Sequence, residues 1–568
     1  MIKKLPILSF TFFLLLFFVT QNTLNAKTIR FFAGPTPDAK GILYVKKGSN
    51  GDGSSWNNAL GELITAIEST NPAIVQIWVS SGSYTPMFGA SFILKRDVKI
   101  YGGFAGTEND LSQRDLKTNI SILRGLRNSV IKTTYLTSAS ILDGFTITEG
   151  YAVVDKSDNS GSGGGINNLG SDLTISNCIF TANEATAGGG GGIYNYSGYP
   201  KIVNCTFNNN KSGAISNSES SPTITNCTFE KNISLISTLS NRRSTTIITN
   251  SNFIENSGQD GGAVYNELST VTFTNCNFLK NISTRGSTGN NGGAAIYSVL
   301  NCTIKIYNCN FLKNAAARYG GALTINNKCN VLIANSLFAN NTAQTEGNEI
   351  YSTVDNTVNI INSTFVNSGV NALTFDDKAV NFTNSIVWAQ LLVPLYFGTP
   401  FTFKNSLLLG LKDTSNGNID ATGITDTQIF KSPSTEDYTL LEGGIAVNKG
   451  NNTLYDTALL GSLDLSGKSR INEIIIDLGA YESRNGSLGI AEPNKQHFTA
   501  YPNPVKEGVF YIENSSIDGN ALLYDISGNE VKSVKIENGK ANINVNNLPK
   551  GIYLLKTSGS KAFKIMVE

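Results

Sequence analysis

The chain has 568 residues, only 15% of them charged, and a formal net charge of +1 at pH 7. Because it has no basic excess to offer a phosphate backbone, nucleic acid is excluded as a partner. The only histidine, His497, lies near the C-terminal end, which excludes histidine acid–base chemistry and histidine metal sites from the rest of the chain. No cofactor is expected.

The N-terminus has the features of an export signal. A basic start at Lys3-Lys4 precedes an apolar run from Leu5 to Val19, and Leu24-Asn25-Ala26 resembles a signal peptidase site. The run is shorter than the roughly 20 residues that a membrane span needs, and no later stretch approaches that length. We therefore predict that residues 1–26 are a signal peptide and that the exported chain has no transmembrane span.

The next segment predicts a capped start to the fold. An amphipathic helix is predicted around Ala59 to Thr70, between the strand-like pieces Leu43-Tyr44-Val45 and Ile77-Trp78-Val79. The open end of a repeat core needs a cover, since unpaired edges invite aggregation. Residues 27–97 are thus predicted to form an N-terminal cap with the first coils.

A short phrase that begins with asparagine and ends in an aromatic residue recurs every 21 to 33 residues along the middle of the chain. The full copies begin at Asn177, Asn204, Asn226, Asn250, Asn275, Asn308, Asn335 and Asn362, and weaker ones begin at Asn384 and Asn405. A loosely held period of this length predicts a solenoid. The strand-like pieces are too short to hold crossover helices, so each must pair with the next coil. Residues 98–483 are therefore predicted to form a parallel β-helix with a terminal cap.

Each position of the phrase has an expected role. The phenylalanines should stack inside the coils, and the asparagines should turn the corners, where their amides can hydrogen-bond from coil to coil. A second asparagine recurs three residues after the phenylalanine of the phrase. The residue after the first asparagine alternates between cysteine and serine, which indicates a site for a small side chain. The second asparagines are Asn183, Asn210, Asn232, Asn256, Asn281, Asn314 and Asn341.

Two cysteines lie outside this pattern. Cys302 and Cys329 each stand seven residues before the second residue of a phrase, in consecutive coils. One strand spacing of about 4.8 Å permits a disulfide. The spacing therefore allows a Cys302–Cys329 disulfide, and two free thiols are the favoured alternative.

A row of tyrosines is a candidate ligand-contact surface of the solenoid. Several strand-like pieces contain an apolar residue followed by tyrosine, as in Ile193-Tyr194. The apolar residue should face the core, so the tyrosine should face outward. An exposed row with amide and hydroxyl neighbours could stack on the sugar rings of a glycan. Tyrosine, serine and threonine also suit any strand surface, and this structural interpretation is the favoured one. The tyrosines of this row are Tyr194, Tyr265, Tyr297 and Tyr351.

The acidic residues give weak catalytic signals. Asp376 and Asp377 are adjacent and should point to opposite sides of a strand, whereas glycoside hydrolysis needs two carboxylates on one face. Asp260, near Arg242 and Arg243, is a weak candidate for a lyase site, as are Asp155 and Asp158 near Lys156. Near the end of the solenoid, a charged group that favours a buried structural ion pair comprises Asp464, Arg470, Asp477 and Glu482.

Residues 484–497 lose the repeat pattern and predict a linker, and residues 498–568 predict a small all-β domain. The landmarks of this domain are Tyr501, Pro502, Asn503, Pro504, Asp525, Gly528, Leu548, Pro549, Gly551 and Tyr553. With their spacing, they closely resemble the type A sorting domain of the Bacteroidota type IX secretion system. That resemblance implies a β-sandwich, the secretion machinery as a partner, and delivery through the periplasm to the cell surface or beyond.

The repeats resemble those of polymorphic outer-membrane proteins and, more broadly, right-handed parallel β-helices with a pectin-lyase-like fold. Asp477-Leu478-Gly479-Ala480-Tyr481-Glu482 resembles the final segment of choice-of-anchor domains. The whole chain is therefore expected to be all-β, with a helix-capped solenoid followed by a β-sandwich. The favoured function is non-catalytic adhesion or extracellular binding to a glycan or a cell-surface ligand. The alternatives are a polysaccharide lyase or glycoside hydrolase and a dedicated glycan-binding protein.

Overall fold

A computed structural model describes residues 34–87, 89–154, 161–285, 292–367, 369, 371–389, 391–392, 401–410, 414–471, 475–483, 499–513, 519–525, 529–557 and 563–568. The chain divides into two compact units, Met1–Ser483 and Arg484–Glu568. Among the described residues, no helix is long and apolar enough to cross a membrane. The predicted signal peptide (1–26), the linker (484–497) and His497 lie outside the described residues.

The first unit is a solenoid of parallel strands in which most coils contribute one strand to each of three sheets. Successive strands of a sheet pair with the coil before and the coil after, with residues of the same repeat position side by side. Since each strand is only two to seven residues long, the sheets gain their extent from the number of coils. These pairings confirm the predicted parallel β-helix.

The described strands of sheet 1 are Ile42–Val45, Gln76–Ser80, Lys99–Phe104, Ile141–Asp143, Thr174–Ser176, Lys201–Val203, Thr223–Thr225, Thr245–Thr249, Thr270–Thr274, Thr303–Tyr307, Asn330–Ala334, Thr357–Ile361, Ala379–Thr383 and Phe401–Lys404. Those of sheet 2 are Gly82–Tyr84, Ser121–Arg124, Phe145–Thr148, Ile179–Thr181, Thr206–Asn208, Thr228–Glu230, Asn252–Ile254, Asn277–Leu279, Asn310–Leu312, Leu337–Ala339, Thr364–Asn367, Ile386–Ala389, Leu407–Leu408 and Ile419–Asp420. Those of sheet 3 are Phe92–Ile93, Ile131–Thr134, Ile166–Leu169, Ile193–Tyr196, Ile215–Ser218, Ser237–Arg242, Gly261–Glu267, Ile296–Val299, Leu323–Asn326, Ile350–Thr353, Leu373–Asp376 and Leu391–Leu392.

Short side strands lie between sheets 2 and 3 in several coils. They are Tyr151–Ala152, Glu184–Ala185, Ser257–Gly258, Ile282–Ser283, Ala315–Ala316 and Thr342–Ala343. The 3₁₀ turns of the unit are Trp56–Asn58, Leu111–Gln113, Ser415–Gly417, Asp426–Gln428, Pro433–Thr435 and Asn452–Leu454.

A column of phenylalanines fills the core behind sheet 2, as predicted. Consecutive rings stack with centroids 4.4 to 5.0 Å apart and with nearly parallel planes. All of them are fully buried, so each contributes on the order of 1.5–3 kcal/mol of burial energy. The column runs through Phe180, Phe207, Phe229, Phe253, Phe278, Phe311, Phe338 and Phe365.

The two asparagine columns have different roles. The phrase-initial asparagines adopt the left-handed conformation that the corner between sheets 1 and 2 requires, with φ near +50° at Asn177, Asn275 and Asn335. The second asparagines are fully buried and form a ladder in which each side-chain amide donates to the amide oxygen of the next coil, as Asn210 does to Asn232 at 2.9 Å. Both roles agree with the sequence-based expectation.

The helix Leu63–Glu68 lies where the amphipathic helix was predicted, and it is shorter than predicted. Leu63, Ala66 and Ile67 form its buried face and join the solenoid core. Spacings of three and four residues place these side chains on one side of the helix. The helix thus contributes apolar surface to the core at its N-terminal end.

The segment after the last coils packs along the outside of the solenoid. It contains the antiparallel pair Phe430–Ser432 and Asp437–Leu440 and the helix Thr457–Leu460. Phe430 and Leu478 are buried against outward side chains of sheet 2, and Tyr455 and Ile476 against those of sheet 1. The segment predicted as a terminal cap therefore covers the outer faces of the last coils.

The second unit contains two antiparallel sheets around one core. The three-stranded sheet contains Thr499–Tyr501, Val509–Glu513 and Lys540–Asn544. The four-stranded sheet is formed by Glu530–Ile536, Gly519–Tyr524, Gly551–Thr557 and Phe563–Val567. Phe510 from the first sheet and Leu523 and Leu555 from the second share the buried core. The predicted small β-sandwich is therefore confirmed.

Candidate functional site

The predicted tyrosine row lies at equivalent positions of sheet 3. Tyr194 pairs in register with Ser216, Ser216 with Ser240, and Ser240 with Tyr265. Tyr265 pairs with Tyr297, and the row continues through Thr324 to Tyr351. Two small serines thus separate the first two tyrosines over three strand spacings, or about 14 Å.

A groove of about 270 Å³ lies over these serines. Ser216 and Ser240 form its floor, and Tyr194 and Arg242 also line it. The walls are the chain segments 185–190 and 234–237, and Leu235 stands at the wall with 72% of its surface exposed. The groove therefore combines aromatic, aliphatic and hydroxyl surfaces.

The glycines of the first wall allow the chain to pass close to the groove floor. Gly189 and Gly190 have φ of +82° and +68°, which favour glycine over residues with a side chain. A Cβ on Gly190 would lie 2.2 Å from the carbonyl oxygen of Ile193. The Gly188 carbonyl in turn accepts a hydrogen bond of 3.3 Å from the Ser216 hydroxyl. The glycine-rich stretch thus shapes the wall and fixes a floor side chain.

The expectation of a uniformly exposed tyrosine row is wrong for its second half. Tyr297 and Tyr351 are only 6% and 8% exposed, whereas Tyr194 and Tyr265 are half-buried. Tyr319 from the preceding coil stacks on Tyr351 with ring centroids 4.3 Å apart, and Tyr265 meets Tyr297 edge-on at 5.6 Å. Burial raises the pKa of both Tyr297 and Tyr351 to about 12. Tyr194 and Tyr265 are therefore the accessible tyrosines of the row, and of these Tyr194 lines the groove.

The charged residues beside the groove form ion pairs across neighbouring coils. Arg242 Nε lies 3.1 Å from a carboxylate oxygen of Glu267, its register partner, and the Tyr265 hydroxyl donates to Glu267 at 3.0 Å. Asp260 pairs with Arg285 at 3.1 Å. Asp260 therefore does not form a site with Arg242 and Arg243, because Asp260 pairs with Arg285 and Arg242 pairs with Glu267, each from a neighbouring coil. Burial raises the pKa of Asp260 above its usual range.

The other acidic candidates do not assemble into a site. Asp377 is buried and accepts a hydrogen bond of 2.8 Å from the Asn356 amide, while Asp376 ends the sheet 3 strand Leu373–Asp376 and is less buried. Burial raises the pKa of Asp377 to about 6. Asp155, Lys156 and Asp158 lie outside the described residues. In the part of the chain that the structure describes, no three His, Cys, Asp or Glu side chains are grouped to hold a metal ion.

The charged group near the end of the solenoid is a buried structural cluster, as predicted. Arg470 pairs with Glu482 at 2.8 Å, with both side chains buried. Arg470 also donates to the main-chain oxygens of Asn362 and Gly479. The carboxylate of Asp464 accepts the amide N–H of Glu482 at 2.7 Å. The cluster thus fastens the terminal segment to a corner of the solenoid.

The disulfide that the spacing of Cys302 and Cys329 would allow is not formed. All seven cysteines are free and buried. The thiols of Cys302 and Cys329 each donate to the main-chain oxygen three residues earlier, Val299 and Asn326, at 3.2 Å. Both thiols are therefore hydrogen-bonded to the backbone of their own coil.

Sequence reasoning missed a second amide ladder, directly behind the groove floor. Asn195 donates to Asn217 at 2.8 Å, and Asn217 donates to Asn241 at 2.8 Å, all fully buried. The recurrence of asparagine two residues after the inward apolar residue was the available signal. The whole ladder runs through Asn168, Asn195, Asn217, Asn241, Asn266 and Ser298. It makes the groove floor a rigid surface, since each rung satisfies its neighbour.

Several landmark side chains of the second unit hold that unit together. The Asn503 amide donates to the Lys564 carbonyl at 2.7 Å and accepts from the Met566 N–H at 2.9 Å. The Tyr553 hydroxyl donates to the Pro549 carbonyl at 2.7 Å, and Asp525 accepts the Asn529 N–H at 2.9 Å. Gly528 lies outside the described residues. The landmarks thus encode the fold of the unit.

Comparison with known families agrees with both units. Residues 127–278 match the family model described as a right handed beta helix region, so the solenoid is a right-handed parallel β-helix. Residues 499–568 match the model described as a secretion system C-terminal sorting domain. The protein is therefore a β-helix protein that the type IX secretion system delivers to the cell surface or the extracellular space.

Solved structures give distant likenesses. Pectate lyase Pel9A is 15% identical over 79% of this chain and 96% of its own, with a TM-score of 0.34. A mutant tailspike protein of E. coli bacteriophage HK620, in complex with a hexasaccharide, is 10% identical over 86% of this chain and 85% of its own, with a TM-score of 0.26. No curated protein sequence matches the chain. These likenesses are too distant to assign an activity.

Proposed function

We propose that this protein is a non-catalytic adhesion or extracellular binding protein whose ligand lies in the groove over Ser216 and Ser240. The observation that carries the proposal is the composition of the groove: hydroxyl groups on the floor, a half-buried tyrosine at one side and an exposed leucine on the wall. Such a mixture of apolar surface with a few fixed polar groups is typical of ligand sites.

A glycan is the ligand that this surface would fit best. The Tyr194 ring offers an apolar face for a sugar ring, while Ser216 and Ser240 offer hydroxyls of the size that sugar hydroxyls can bond. Burial raises the pKa of Tyr194 above its ordinary value. Its hydroxyl, like that of any tyrosine, is protonated at physiological pH and can donate to a ligand. The amide ladder behind the floor would keep the contacts pre-organised, which lowers the entropic cost of binding.

The charged residues beside the groove support binding over catalysis. Glu267 accepts from Tyr265 and pairs with Arg242, and Asp260 pairs with Arg285. Neither carboxylate lines the groove, so neither is positioned to act as a general acid or base on a ligand there. Cleavage of a polysaccharide by a lyase or hydrolase remains the competing function, and the experiment must detect it.

The test uses the purified exported chain on a panel of immobilised extracellular polysaccharides and on whole cells. Tyr194→Ser should weaken retention about tenfold, and Ser216→Leu, which fills the groove, should abolish it. Tyr196→Ser is the matched control, because Tyr196 lies on the same strand, is exposed and does not line the groove. Its retention should stay within about twofold of the wild type.

Three outcomes would contradict the proposal. Equal loss in Tyr194→Ser and Tyr196→Ser would remove the groove as the site. Unchanged retention in Ser216→Leu would do the same. New reducing ends or unsaturated uronic products released from the polysaccharide would show that the protein is an enzyme.

A further inference from the structure

The four-stranded sheet of the sorting domain has an unusual outer face. Side chains alternate along each strand, so Leu523, Leu555 and Ile565 point into the core. The residues between them point outward, and several of these are apolar. They are Leu522, Tyr524, Ile552, Leu554 and Met566, which we call the apolar face.

The apolar face is continuous across three strands. Tyr524 lies opposite Leu554 and Ile552 lies opposite Met566 in the strand register. Side chains at such positions are about 5 Å apart and touch. Ile552 and Leu554 are 40% and 39% exposed. A patch of this kind on one side of a soluble domain indicates an interaction surface.

Lysines border the apolar face. Lys556 lies opposite Leu522, and Lys564 lies opposite Leu554, and both are exposed. Among the described strands of this sheet, Glu530 is the acidic residue on the outer face, and it lies opposite Tyr524. The border is therefore net positive, which favours a partner with carboxylates around an apolar centre.

The landmark residues leave recognition to other side chains. The polar groups of Asn503 and Tyr553 form hydrogen bonds within the domain. A sorting domain must nevertheless present a surface to the machinery that exports it. The side chains of the apolar face lie outside the buried core of the domain, so they are available to contact a partner.

We propose that the apolar face is the docking surface of the sorting domain for a protein of the secretion machinery. The partner would present a complementary apolar surface with acidic residues at its edge. Burial of Ile552 and Leu554 would supply most of the binding energy, and Lys556 and Lys564 would orient the complex.

The test measures export of the full chain in a bacterium with a working type IX system. Ile552→Ser with Leu554→Ser should lower the ratio of extracellular to cell-retained protein at least tenfold, or about 1.4 kcal/mol of docking energy. Lys556→Glu with Lys564→Glu should lower it severalfold and does not touch the core. Tyr511→Ser is the matched control, since Tyr511 is 46% exposed on the opposite sheet, and it should be exported normally.

The outcomes separate docking from misfolding and from self-association. Variants that are retained in the cell should keep the thermal transition of the C-terminal unit. If Ile552→Ser with Leu554→Ser loses this transition, the export of Lys556→Glu with Lys564→Glu tests the proposal instead. Normal export of both double variants would overturn the proposal. So would a loss of export in Tyr511→Ser as large as the loss in the double variants. A wild-type dimer that Ile552→Ser with Leu554→Ser converts to an exported monomer would assign the face to a second copy instead.

Discussion

The buried carboxyl group of Glu349 accepts a hydrogen bond of 2.6 Å from the side-chain amide of Asn367. It also accepts one from Asn341, the last amide of the ladder that begins at Asn183. A single acidic side chain thus ends a column of seven amides inside the solenoid. Burial raises the pKa of Glu349 to about 8, so its carboxyl is mostly protonated at neutral pH.

The stability of the solenoid should therefore fall as the pH rises. Between the ordinary glutamate value of about 4.5 and the folded value of about 8, the unfolded chain has lost the Glu349 proton and the folded chain keeps it. The stabilisation is fully present below pH 4.5 and is lost as the pH approaches 8. We expect Glu349→Gln, which cannot titrate, to flatten this part of the curve of melting temperature against pH.

The control for this prediction is an exposed carboxylate, Glu219→Gln, which should leave the pH dependence unchanged. Identical slopes for the wild type and Glu349→Gln between pH 5 and 8 would contradict the assigned role. So would a wild-type melting temperature that rises over the same range.

Phe278 lies in the middle of the phenylalanine column, with ring centroids 4.8 Å from Phe253 and 4.7 Å from Phe311. Phe278→Ala should lower the free energy of unfolding by about 3–5 kcal/mol, because the stacked neighbours cannot close the cavity. Phe278→Leu keeps most of the volume and should cost roughly half as much. Calorimetry of both variants checks the order, and equal losses would argue against a cavity.

The sequence predicts those features that depend on one residue type at one repeat position. The period, the inward phenylalanines and the left-handed asparagines each recur coil after coil, so their geometry follows from local chemistry. The Asn195 ladder has a comparable signal in the sequence, an asparagine two residues after the inward apolar residue of sheet 3, repeated from Asn168 to Asn266.

The features that sequence reasoning could not supply depend on what neighbouring coils add. Tyr297 and Tyr351 were expected to be exposed like Tyr194, yet Tyr319 from the preceding coil covers Tyr351. Asp260 pairs with Arg285, which lies far along the chain and one coil away in space. Insertions between coils decide such contacts, and the repeat pattern does not encode them.

The cysteine and serine column has a hydrogen-bonding role as well as a size limit. The Ser251 hydroxyl accepts the Cys227 N–H at 3.1 Å and donates to the Thr249 carbonyl at 2.9 Å. The Cys309 thiol accepts the Cys276 N–H in the same way at 3.4 Å. Ser251→Cys should therefore be nearly neutral, while Ser251→Ala should cost about 1–3 kcal/mol by leaving the Cys227 N–H unpaired. Denaturant unfolding of the two variants checks this. Equal stability of Ser251→Ala and Ser251→Cys would show that only the size of the side chain matters at this position.

Arg470 should be the most sensitive charged residue of the β-helix unit. Its side chain is fully buried, pairs with Glu482 at 2.8 Å and donates to the Asn362 carbonyl of the solenoid at 3.2 Å. Arg470→Met should cost about 3–5 kcal/mol, because Glu482 would remain buried without its partner. Arg470→Met with Glu482→Met removes both charges and should recover much of that loss. Limited proteolysis should show the segment from 430 to 483 released first in the single variant. If both variants lose the same stability and the segment stays protected, the pair does not fasten the terminal segment.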